Sequence, residues 1–148
     1  MKDLLQRPRN DLVIPARWVA CYVTIKTEWF DDNRQILVTE VREGWTWQDV
    51  QDNMNKLHNL AMSVNYPAGL IVILARTMSI PPSGFVQNSR NIIALHQQLG
   101  LHTVVYVTRT PYTQTLWRET IDTLAGNTTM YFIANTPDDA LEIVESRS

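Results

Sequence analysis

The run "IPPSGF" places a hydroxyl and a glycine between two prolines and the start of an apolar stretch. Ser83 in this run is a candidate nucleophile, phosphate acceptor or helix cap. A serine hydrolase sets its nucleophile in a GxSxG turn beside a base, and PPSGF has neither that pattern nor a histidine or acid tied to it. The three histidines, His58, His96 and His102, share no metal-ligand spacing such as HxxxH, and each is expected as a surface or packing residue. Asp31 and Asp32 resemble the clustered acids that hold magnesium. They fall in "DDNR", however, where Asp and Asn serve tight turn geometry, and no aspartate follows "GLIVILA" to act as a phosphoacceptor. The single cysteine, Cys21, excludes an internal disulfide and a cysteine metal cluster, and its apolar surroundings predict a buried thiol. The patterns GxGxxG and GxxxxGK[ST] are both missing from the sequence. No cofactor and no metal are expected.

The elements that would position these residues follow from hydrophobic period. Residues 1–16 carry Pro8, Pro15 and mixed charge without a period, and are expected as a tail or irregular lead-in to a single domain over 17–148. "WVACYVTIKTEWF" alternates, with Val19, Cys21, Val23, Ile25 and Trp29 on one face, and "QILVTEVREG" resumes after the turn to complete an antiparallel hairpin. The period then changes. Trp47, Val50, Met54, Leu57, Ala61 and Val64 form one helical stripe, opened by Thr46 with Asp49 as a capping pair. "GLIVILA" is a continuous apolar run suited to a strand covered on both faces.

A second helix follows the PPSG loop, with Val86, Ile92, Ile93 and Leu99 facing inward and Gly100 as its left-handed stop. "HTVVYVT" is another strand. "TPYTQTLWRETIDTLAG" and "TPDDALEIVES" both open with Thr as cap and Pro at the first helical position, and "TMYFIAN" lies between them as a strand. The order β-β-α-β-α-β-α-β-α predicts an α/β fold: a mixed sheet of about five strands with four helices, its later strands parallel through helical crossovers. The five tryptophans are expected in core and edge packing, with Trp45 and Trp47 as staples at the first helix start.

Composition narrows the function. A chain of 148 residues with 45% hydrophobic and 19% charged residues supports a packed core, and at this length folding buries roughly 68–70% of the unfolded surface. A net charge of -2 with scattered Lys and Arg gives no concentrated positive face for nucleic acid. No apolar run is long enough for a signal peptide or a membrane span, so the expected location is the cytoplasm.

From Arg17 onward, through "AGLIVILARTMSIPPSGFVQNSRNIIALHQQLG", "LHTVVYVTRTPYTQTLWRETIDTLAG" and "TTMYFIANTPDDALEIV", the chain resembles the STAS domain of the anti-sigma-factor antagonist type, with its SpoIIAA-like fold. It also resembles bacterial proteins described as STAS-like or SEC14-like. In the STAS family the loop before the second helix ends in Asp-Ser-Ser-Gly or Asp-Ser-Thr-Gly; here Pro81, Pro82, Ser83 and Gly84 stand in those places. The resemblance implies that Ser83 is the phospho-acceptor, that Gly84 opens the helix, and that a protein partner docks on the loop 77–88 and the second helix.

Two functions follow as expectations. The first is a non-enzymatic interaction module, switched by phosphorylation at Ser83, with Arg76, Ser79, Gly84, Arg109 and Thr110 completing a surface at the carboxyl edge of the sheet, where open α/β sheets bind ligands. The second is a small-molecule or lipid carrier of SEC14-like type, with an apolar cavity under the second helix and Arg76 and Arg109 holding a polar head group. A hairpin edge strand offers a route to a homodimer by strand pairing.

Overall fold

Strand alternation and β-branched content place β1 at Ile25–Trp29 and β2 at Ile36–Val41. In this computed structural model, residues 24–75, 83–126 and 130–148 are described. The expected tail and Trp18, Val19, Cys21, Val23, Arg76, Ser79, Pro81 and Pro82 lie outside them. Between the two strands Asp31–Arg34 turns the chain: Asn33 donates its amide to Asp31 Oδ1 at 3.0 Å and Arg34 takes a positive φ of 54°. The acids therefore serve the turn.

The remaining elements are α1 (Trp47–Met62), β3 (Gly69–Leu74), α2 (Phe85–Gln98), β4 (Thr103–Val107), α3 (Pro111–Ala125), β5 (Tyr131–Ala134) and α4 (Pro137–Arg147). The five strands form one sheet in chain order. β1 runs antiparallel to β2, with Ile25 opposite Val41, and β2 to β5 are parallel. This is the α/β architecture expected from the periods.

Three crossovers that step in the same direction and share one hand carry their helices to the same face. Leu37, Leu70, Val72, Leu74, Val104 and Tyr106 accordingly meet Leu57 and Ala61 of α1, Ile93 of α2, and Trp117 and Ile121 of α3. The intervening residues, Ile36, Val38, Ile71, Ile73, Val105 and Val107, point to the other face and pack on Ala140 and Val144 of α4. Because both faces are covered, every residue of β3 and β4 is buried.

Helix starts fall where the sequence signals place them, although Thr110 holds its cap position before Pro111 without a side-chain cap bond and the start of α2 differs. Thr46 and Asp49 form a reciprocal capping box, and Thr136 accepts from the Asp139 amide at 3.1 Å. At α2 the cap position belongs to Gly84, at φ 82°, with no side-chain cap; Ser83 stands one residue outside, exposed. Ser83 is thus not the helix cap. Val86 also departs from expectation, being 55% exposed, while Ser89, Ile93 and His96 are the buried face of α2. The inward stripe starts from Phe85, which packs on the core, so Val86 falls a residue off it.

Candidate ligand-binding cavity

The face that carries α1, α2 and α3 holds a cavity of about 90 Å³. Its floor is sheet, including Thr39, Leu70, Val72 and Tyr106, and its sides come from Leu57 on α1, Ile92 and His96 on α2, and Trp117 on α3. Trp45, Trp47, Val50 and Met54 complete it along the start of α1. All of these but Trp45 are only half-buried, so the cavity opens to the surface along α1. Large side chains on three helices meet the strand residues without filling the space between them.

A continuous run of rings passes along this space. Trp45 meets Trp47 edge to face (4.8 Å between centroids, 82°) and Trp47 meets Phe85 at 6.3 Å. Phe85 meets Trp117 at 5.8 Å, and Trp117 stacks on Tyr106 at 4.9 Å. Tyr106 then stacks on Tyr131, which meets His96 at 5.9 Å. Offset and edge-to-face contacts of this kind add to the area each ring buries. They also tie the β2–α1 connection, α2, α3, β4 and β5 into one wall.

The polar groups of the wall are few and specific. His96 is buried, with Nδ1 2.9 Å from the Tyr131 hydroxyl. Desolvation lowers its pKa to about 4, so the ring is neutral at pH 7. Burial pushes the hydroxyls of Tyr106 and Tyr131 well above the usual phenol range, and they remain protonated. At the β1 end, Thr39 Oγ1 donates to Thr27 Oγ1 at 2.7 Å, and Thr27 donates to Asn53 Oδ1 at 2.8 Å. Among the described residues, no Asp, Glu, Lys or Arg lines the cavity.

Among the described residues, four buried side-chain N or O atoms have no hydrogen-bond partner: Nε1 of Trp45, Trp47 and Trp117, and Ser89 Oγ. Three are indoles of this wall, and Ser89 lies on the α2 face that also carries His96. Buried polar atoms are nearly always paired. Their concentration at one cavity sets this region apart.

The residues singled out from sequence lie elsewhere. Ser83 and Gly84 lead into α2 at the carboxyl edge of the sheet, and Arg109 and Thr110 stand at the same edge after β4. Arg109 Nε donates to the Asn135 carbonyl at 3.2 Å, and Gln114 Nε2 reaches both the Thr108 carbonyl and Asn135 Oδ1 at 2.7 Å. This network braces the β4 and β5 exits. Arg109 does not line the cavity. The cavity lies under the second helix, and His96, expected as a surface or packing residue, is buried in its wall.

A second, open groove of about 510 Å³ runs between β1 and α1, lined by Thr24, Lys26, Asp49, Asp52 and Lys56 among others. Thr24 donates to Asp49 Oδ2 at 2.7 Å, and this bond, followed by the Thr46 amide, holds the Asp49 carboxyl below its ordinary pKa. The groove carries charges of both signs and no convergent set of donors. Among the described residues no cluster of His, Cys, Asp or Glu could hold a metal ion, and no helix is long and apolar enough to cross a membrane. Comparison with family models, with curated proteins and with solved structures gives no match to this chain.

Proposed function

We propose that this chain is a non-enzymatic binding domain of STAS-like or SEC14-like type that takes up a small, largely apolar molecule between its sheet and α1, α2 and α3. The observation that carries this reading is the apolar, ring-walled cavity with unpartnered donors in its wall. Ligand sites are concave and mostly apolar, with a few placed polar groups. Among the described residues, the two imidazole–hydroxyl pairs, His96–Tyr131 and His102–Thr103, supply no accessible nucleophile, since both hydroxyl residues are buried.

The test is a ligand-observed NMR screen of small apolar fragments against the wild type and a Val50→Phe variant. Val50 is half-buried at the cavity mouth on α1, so the larger ring enters the cavity while the helix is kept. The expected result is a set of fragments that bind the wild type and lose binding in the variant, with folding checked by circular dichroism. A screen in which nothing binds the wild type, or in which Val50→Phe binds equally well, rejects the proposal.

A second reading, a protein-docking surface switched at Ser83, is favoured by a separate observation. Val86 and Tyr112 are 55% and 76% exposed in the first turns of neighbouring helices, at the edge where Ser83 is also exposed. A phosphate there adds about -1.5 to -2 charges at pH 7, enough to alter docking on an apolar surface. Affinity capture with wild-type and Ser83→Asp baits tests it. A partner held by one and released by the other supports the switch; identical capture removes it.

A further inference from the structure

We propose that β1 is the seam of a two-fold dimer, in which it pairs antiparallel with β1 of a second copy, centred on Thr27, so that the two sheets become one. This pairing does not depend on what the cavity binds.

β1 is the outermost strand of the sheet, and among the described residues only β2 pairs with it. Phe30 donates its amide to the Ile36 carbonyl and Arg42 donates to the Thr24 carbonyl, both at 2.7 Å, which fixes the phase of the ladder. Bonded pairs alternate along an antiparallel ladder, so Lys26 and Glu28 turn their main-chain groups toward Glu40 and Val38 on β2. Ile25, Thr27 and Trp29 turn theirs outward. The strand thus presents three successive donor and acceptor sites at its edge, the template on which another strand forms.

A lysine on an edge strand normally discourages such pairing. Here Glu28 follows two residues later on the same face, with its carboxylate 3.5 Å from Lys26 Nζ. The strand "IKTEW" is therefore complementary to itself when reversed. Centred on Thr27, the antiparallel pair sets Lys26 opposite Glu28 of the second copy and Ile25 opposite its Trp29. Lys26 and Glu28 then occupy non-hydrogen-bonded positions, where opposed side chains come closest, with Cα atoms about 4.5 Å apart. Lys26 stands between that carboxylate and Glu40 of its own β2. The neighbouring two-fold registers, centred on Lys26 or on Glu28, oppose like charges, which is destabilising. Charge thus selects one register.

The α1 side carries the same complementarity. Thr27 Oγ1 donates to Asn53 Oδ1, so Asn53 stands near the two-fold axis. Asp52 and Lys56, both exposed, flank it along the open groove between β1 and α1. The two-fold operation reverses α1, and Lys56 of one copy moves to the side of Asp52 of the other. Trp29, half-buried at the margin of the core, gains cover from the second copy. A two-fold interface uses one patch twice, and this patch carries both signs in the order that such doubling needs.

Sedimentation velocity of the full chain across a dilution series measures the dimer. The wild type is expected to sediment as a dimer at high concentration and to dissociate on dilution. Glu28→Lys and Lys26→Glu each turn both symmetry-related pairs into like-charge pairs, and each should weaken self-association by about tenfold or more. An equimolar mixture of the two variants restores opposite charges at both positions and should associate as tightly as the wild type. Circular dichroism checks that both variants fold. In the wild-type dimer the amides of Ile25, Thr27 and Trp29 should be protected from hydrogen exchange and should lose that protection on dilution.

A wild type that stays monomeric throughout the series overturns the proposal. So does a dimer that neither variant weakens, or a mixture that fails to restore association, since the contact then lies elsewhere. Should a variant fail to fold, the wild-type amides decide. A dimer in which Ile25, Thr27 and Trp29 exchange as fast as in the monomer contradicts pairing at β1.

Discussion

Trp117 lies flat on Tyr106, with ring centroids 4.9 Å apart and planes 9° from parallel, so α3 is joined to β4 at the wall of the cavity. Both residues are buried, and Phe85 of α2 packs against the same tryptophan. One side chain therefore contacts two neighbouring elements and lines the binding space. Trp117→Ala should cost about 3–5 kcal/mol in urea denaturation, the range for deleting a buried aromatic. Trp117→Phe should cost clearly less, because a ring remains to pack on Tyr106 and Phe85.

His96 gives the fold a defined acid response. Its pKa is lowered from 6.5 to about 4 by burial, so the unfolded chain binds more protons than the native state between those values. Stability should then rise with pH across this window and fall as pH drops from 7 to 4, by roughly 3 kcal/mol from this group. Replacement by a side chain that still bonds the Tyr131 hydroxyl but does not titrate isolates the effect. In His96→Gln, denaturant titrations at pH 7, 5.5 and 4 should show a shallower decline than in the wild type.

The entry to α2 depends on glycine. Gly84 holds φ 82°, and a Cβ built there would stand 2.9 Å from Asn88 Nδ2 and 3.8 Å from the Trp47 ring. A left-handed conformation costs a residue with a Cβ about 1–2 kcal/mol. Gly84→Ala should lose at least that much stability by thermal denaturation, and it should perturb Trp47 fluorescence because the added methyl abuts that ring.

Two hydroxyl residues near helix starts should behave differently. Thr46→Ala removes one half of a capping box and should cost about 1 kcal/mol. Ser83→Ala removes an exposed hydroxyl that caps nothing and should stay within about 0.5 kcal/mol of the wild type. Paired chemical denaturation curves decide this, and a large loss at Ser83 would show a structural role for it.

The strands and helices were legible because their signals are local: alternation in Ile25 to Val41, the run Gly69–Leu74, and Thr-Pro or Thr-x-x-Asp at helix starts. The register of α2 was not. Phe85 and Val86 are both apolar, and the true inner face carries Ser89 and His96, which read as polar. A hydrophobic stripe drawn through Val86 therefore fits the sequence as well as the real one. The cavity was legible only as an apolar space under the second helix, since its wall joins Trp45, Trp47, His96, Tyr106 and Trp117 from separate elements. Packing of Trp45 against Trp47 at the helix start was foreseeable from spacing. Their shared lack of an acceptor is a property of three-dimensional burial and leaves no mark in the chain.

Uptake of an apolar guest by the cavity is the central claim, and xenon tests it most directly, because xenon enters apolar cavities without needing any polar partner. A crystal of the protein pressurised with xenon should show the atom between Leu57, Val72, Ile92 and Trp117. Occupancy should vanish in Val50→Phe. Xenon absent from this space in the wild type, or a space filled by ordered water that xenon does not displace, would contradict the account.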